Sequence, residues 1–145
     1  MLPINVNDLL EKNRVESNRI EFKEGWNPVR IYQSICAFAN DIDNLGGGYI
    51  LVGVKEDNGK VVRPVCGLTE EELEDIQKKM IGFNNLIDPY YRPRTSIEPV
   101  DGKNIFVIWA PMGEERPYAV PQDITAKDKK YKYYIRSNSS SIEAK

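Results

Sequence analysis

The sequence predicts an α+β fold: a single domain built on a mixed β-sheet, with two or three helices packed mainly on one face. Three observations predict it. Ile31, Ile35 and Phe38 recur at helical spacing between a short alternating segment and a longer apolar run. Thr69 and Glu72 form a capping-box pair ahead of a second helical stretch. The segments that follow are joined by turn residues, Asp101-Gly102 above all, which is how hairpins rather than crossovers are written.

Taken in order, "NVNDLLEKNR" can open with a short helix in which Asn7 caps and Leu9 and Leu10 turn inward. "RIEFKE" alternates, so Ile20 and Phe22 share one face while Arg19, Glu21 and Lys23 share the other; this predicts an edge strand with a charged outer side. Pro28 suits the first turn of the next helix, which should be largely buried. "NLGGGYILVGV" passes from three glycines into a run apolar on both faces, as a central strand requires. "KEDNGK" is a turn, and the capped helix runs on towards Pro89, with acids early and lysines later to suit its dipole. "TSIEPV" and "NIFVIWAP" make the hairpin, "KYKYYIRS" a last strand, and "SNSSSIEAK" reads as a loop in a chain that continues elsewhere or is cut short.

Bulk properties exclude several classes. The 145 residues are 41% hydrophobic, enough for a core without disulfides, and carry a formal charge of −2, so a polyanion must be recruited by a local patch. No histidine is present, which removes His-based triads, histidine general bases and imidazole metal sites together. Cys36 and Cys66 lack metal or redox spacing and read as small core thiols in a reducing compartment. No apolar run is long enough to span a bilayer and the start lacks a secretion-signal pattern, so the expectation is a cytoplasmic protein without a membrane partner. "GVKEDNGK" is not a nucleotide loop: five residues separate Gly53 from Gly59, Val61 follows the lysine and no helix follows.

Two constellations remain. Glu21, with Glu16 before it and Glu56 and Asp57 beyond the central strand, gives carboxylates that would converge at one end of the sheet if the two strands are neighbours. Oxygen ligands of that kind suit magnesium or manganese, with Lys23 nearby against a phosphate; the same acids also read as a solvated face paired with Arg19 and Lys23. The second is "KDKKYKYYIRSNSSS", where Lys127, Lys129, Lys130, Lys132 and Arg136 interleave with Tyr131, Tyr133 and Tyr134. Cations can meet phosphates there while tyrosines stack on unpaired bases, helped by Arg116 and by the hydroxyls of Ser139, Ser140 and Ser141. Lysines that protect an edge strand from aggregation would look the same.

In chain order, "ESNRIEFKEGW", "ICAFANDIDNLGGGYILVGVKEDNG", "ERPYAV" and "YYIRSNSSS" resemble the signature blocks of the Schlafen AlbA-like domain. The resemblance covers nearly the whole chain. It implies an α+β DNA-binding module of the kind found near the start of many bacterial transcriptional regulators, with residues 1–145 as the N-terminal module of a longer protein. In eukaryotic Schlafen relatives the acids of the "E-x4-E-F-K" block and one acid after the "GV" strand form an RNA-cleaving site. Their positions match Glu16 and Glu21, while Lys55 stands where the third acid would, leaving Glu56 or Asp57 to substitute. The leading expectation is therefore a non-catalytic module that binds nucleic acid, DNA ahead of RNA, contacting phosphates through Lys127 to Arg136, Lys23 and Arg116, without a cofactor. The alternative is a magnesium- or manganese-dependent ribonuclease with Glu16, Glu21, Glu56 and Asp57 as catalytic and metal-ligand candidates, and a homo-oligomer pairing through a sheet edge is a third reading.

Overall fold

The fold is described from a computed structural model, for residues 5, 6, 9, 10, 19–137 and 140–144. Asn7, Glu16, Asn138 and Ser139 lie outside the described residues.

The chain builds β1 (Ile20–Lys23), α1 (Pro28–Asn40), β2 (Gly48–Val52), β3 (Glu56–Asp57), β4 (Lys60–Val61), α2 (Glu70–Asn84), β5 (Arg94–Val100), β6 (Lys103–Ala110), β7 (Ala119–Pro121), β8 (Tyr131–Ser137) and β9 (Ser140–Glu143). A four-stranded mixed sheet has the order β1-β2-β6-β5, with β1 parallel to β2 and the other pairs antiparallel. β2 is central and all five of its residues are buried, as its two-sided apolar pattern requires. Alternation divides the core. Ile50, Val52, Phe106 and Ile108 face α1 and α2, whereas Phe22, Tyr49, Leu51, Ile105 and Val107 pack on the opposite face with Val6, Leu9 and Leu10.

α1 begins where Pro28 supplies a ready-made first turn and the Asn27 side chain accepts from the Arg30 amide at 3.3 Å. It ends where Asp41 takes a left-handed φ of 40° and donates its amide to Ala37. Every residue from Ile31 to Asn40 is buried, which one sheet alone cannot do. A second sheet, β7-β8-β9, packs on the far side through Tyr118, Val120 and Tyr134, so α1 lies between two sheets. Burial of Ile31, Ile35 and Phe38 each contributes roughly 1.5–3 kcal/mol.

α2 carries the expected reciprocal cap: Thr69 Oγ1 accepts from the Glu72 amide at 3.1 Å, and Glu72 Oε1 accepts from the Thr69 amide at 2.9 Å. Its buried stripe is Leu73, Ile76 and Met80. The helix stops at Asn84, short of Pro89, because Gly82, Asn84 and Asn85 are weak helix formers and the amides of Asn85, Leu86 and Ile87 tighten to carbonyls three residues back.

The turn "KEDNGK" is a two-stranded hairpin, as a turn there allows, with Asn58 and Gly59 both at positive φ as a tight primed turn needs. Three further details differ from the sequence reading. The outer side of β1 is covered rather than solvated, since α1 and the second sheet lie over Glu21. The segment read as a terminal loop forms β9, paired with β8 from Ser137↔Ser140 to Tyr134↔Glu143. Only Cys36 of the two cysteines is a core thiol; Cys66 is exposed. Burial pushes the Cys36 thiol up to about 12, so it stays protonated at pH 8 while the accessible Cys66 reacts. Iodoacetamide on the folded protein should therefore add one label, mapped to Cys66 by mass spectrometry, and the second only after unfolding; rapid double labelling would contradict this packing.

Among the described residues no helix is long and apolar enough to cross a membrane.

Candidate nucleic-acid interface

Two motif blocks that lie far apart in the chain are bonded to one another. Glu21 of β1 points under α1 and is 6% exposed. Its Oε1 accepts from Arg136 Nη1 at 2.5 Å, across 115 residues, and both its oxygens lie 2.9 Å from the Ser34 hydroxyl of α1. Arg136, on the inward row of β8, also donates to Ser141 Oγ at 2.9 Å and to the Ile20 carbonyl at 3.5 Å. Its guanidinium lies 4.7 Å from the centre of the Phe38 ring, and Ser141 bonds back to Ser34 at 2.9 Å. Lys23 approaches the other oxygen of Glu21 at 3.5 Å from a part-exposed position. The cluster ties the edge of the first sheet, the central helix and the second sheet together.

Buried ion pairs recover their desolvation cost only when the remaining lone pairs and protons are hydrogen-bonded; Ser34, Ser141 and Ile20 meet part of that need here, while Nε of the guanidinium is buried without a hydrogen bond among the described residues. Glu21 is thus engaged on both oxygens. β1 and β2 are neighbours, but Glu56 turns its carboxylate onto its own hairpin, accepting from the Gly59 amide at 2.8 Å. Asp57 is exposed beside it. Among the described residues no three acidic or cysteine side chains come together as a metal site.

The remaining candidates sort by strand parity. Lys132 lies on the same row as Arg136 and pairs with Glu143 at 3.5 Å, while Tyr131 and Tyr133 stand on the outer row, 43% and 50% exposed. Lys127, Lys129 and Lys130 are exposed on the loop before β8, with Lys129 bonded to the Ala126 carbonyl and none within ion-pair distance of a carboxylate among the described residues. Ser140 is exposed at the start of β9. Arg116 donates Nη1 to the Asn40 and Asp41 carbonyls at 3.3 and 3.4 Å, where a cation complements the end of α1. Arg116 and Tyr133 line one open concavity of about 800 Å3.

Sequence reasoning missed the residues that hold this surface in place. Asn40 accepts from the Tyr118 amide at 2.6 Å and donates to the carbonyls of Tyr118 and Tyr134 at 3.1 and 2.8 Å, joining α1 to the approach of β7 and to the middle of β8. Asp41 accepts from the amides of Leu45 and Gly46, each at 2.8 Å, and so shapes the approach to β2. The available signal was the set of polar residues Gln33, Ser34 and Asn40 in a helix whose other positions are apolar, which implies partners on a second side.

The family model described as "Schlafen, AlbA_2" matches residues 16–145. No curated protein matches the chain. Among solved structures, the fold is shared with the N-terminal domain of a protein related to the ATP-dependent DNA helicase RecG from Nitrosomonas europaea, at 24% identity and a TM-score of 0.56, over 93% of this chain and 85% of that one. It is also shared with the DIP2311 protein of Corynebacterium diphtheriae, at 20% identity and a TM-score of 0.56. That match covers 88% of this chain, which spans 22% of the Corynebacterium chain.

Proposed function

Because the chain belongs to the Schlafen AlbA_2 family, we propose that it is a non-catalytic nucleic-acid-binding module, with DNA as the favoured ligand, serving a bacterial-type transcriptional regulator. The observation that carries this reading is the separation of cations around β8. Arg136 and Lys132 are matched by Glu21 and Glu143, whereas Arg116, Lys127 and Lys130 are exposed with no carboxylate at ion-pair distance among the described residues, and Lys129 feels the charge of Asp123 without forming an ion pair. Exposed, uncompensated cations are what a phosphate backbone needs, and in a chain of net charge −2 they concentrate the attraction locally. Arg136 then acts by holding β8 and β9, and Glu21 by holding Arg136. The likeness to the domain of the RecG-related protein fits a role beside DNA machinery.

Four phosphate contacts predict that duplex affinity falls roughly 150-fold between about 50 and 200 mM salt, and single-strand affinity roughly 50-fold. Titration of a labelled duplex and a labelled single strand at both salt concentrations tests this. Alanine at Lys127, Lys129 and Lys130 together should weaken binding to both and flatten the salt dependence. Absence of binding at the lower salt would end the proposal.

A further inference from the structure

Resting on the function just proposed, we infer that the concavity between the α1–β2 loop, the β7 approach and the outer face of β8 is a receptor for one unpaired nucleotide, giving the module a preference for single-stranded over duplex DNA. Its walls are largely apolar, built by Ile42, Pro117, Tyr133 and Ile135. Arg116 and Asn44 are among its polar members, and among the described residues no carboxylate side chain lines it. Ile42 and Tyr133 are 58% and 50% exposed, so both offer their surfaces to a ligand rather than to the core.

The chemistry of the lining selects the occupant. A volume of about 800 Å3 accommodates a nucleoside, and a base is flat and apolar on its faces, so it can lie against Tyr133 and Ile135 as it does on the aromatic platforms of single-strand binders. Its phosphate needs a cation at the rim. Arg116 is anchored there through Nη1 by two carbonyls at the end of α1, which orients it without neutralising it. Lys127, Lys129 and Lys130, on the loop leading into β8, offer positive charge for the flanking backbone. A paired base keeps its faces inside the stack, so duplex DNA can use the lysines but not the concavity.

The probes are a fluorescein-labelled thymidine oligonucleotide of about a dozen residues and a hairpin duplex of similar size, titrated at low salt against the wild type, Tyr133→Ala, Tyr133→Phe and the triple lysine-to-alanine variant. The wild type should bind the single strand more tightly. Tyr133→Ala should weaken single-strand binding about tenfold and leave duplex binding within about twofold, with Tyr133→Phe retaining the preference. If Tyr133→Ala leaves single-strand binding intact while the triple variant weakens both ligands, the receptor is wrong and the binding function stands. If neither probe binds the wild type, both fall.

Discussion

Arg136→Met lowers the free energy of unfolding by about 3–5 kcal/mol, although it keeps most of the side-chain stem. The loss comes from Glu21, whose carboxylate stays 6% exposed under α1 with its buried cation removed. Lys23 lies 3.5 Å from the other oxygen but is partly in solvent, so it screens the charge incompletely. Glu21→Leu alone should cost a similar amount by stranding Arg136. The double variant should recover a large part of the deficit, because apolar residues of similar volume replace a buried pair without its desolvation cost. Urea denaturation of the two single variants and the double variant gives the coupling energy directly. An Arg136→Met protein within about 1 kcal/mol of the wild type would show that the pair is not structural. The same experiment governs any nuclease assay: lost cutting in Glu21→Gln would not identify a metal ligand unless the variant were also shown to be folded.

The second large effect is expected at Gly47, where the chain enters β2. A Cβ there would sit 2.1 Å from the Ala110 carbonyl oxygen and 2.6 Å from Pro111 Cα, both backbone atoms of the neighbouring strand region. The residue also has φ of +88°, where any other L-residue is strained. Neither strain nor clash can relax through a side-chain rotation, so Gly47→Ala should displace the start of the β2–β6 ladder and cost at least about 3 kcal/mol. For a chain of this length that is a fall of roughly 10 °C in Tm. Gly82→Ala is the control, since a Cβ at this position in α2 meets nothing within 4 Å; it should raise stability by about 0.5–1 kcal/mol. A Gly47→Ala melting point within about 2 °C of the wild type would refute the close approach.

Much of the frame was legible in the residues themselves. Pro28, the Thr69–Glu72 box, the apolar run of β2 and Asp101-Gly102 each report on backbone a few residues away, and helix starts, strand type and turns obey such short-range rules. α2 was overextended because a weak stop at Gly82 and Asn84 is less conspicuous than Pro89. β9 was missed for a related reason: Ser140–Glu143 has little strand character without β8 to pair with. Of the candidate site, the cationic and aromatic residues around β8 were named from composition, but not their division into an inward row that pairs and an outer row that is free to bind.

The sequence by itself determined the α+β class, the order of the main elements, the absence of histidine chemistry and the family match that spans both Glu21 and Arg136. Only the tertiary structure decided that these two charges face each other, that Ser34 and Ser141 hydrogen-bond to them, and that α1 is covered on both sides. The physical reason is range. Capping, alternation and turn chemistry act within a few residues, whereas the environment of a charge is set by whatever the fold brings over it, and for Glu21 that was a strand more than a hundred residues away.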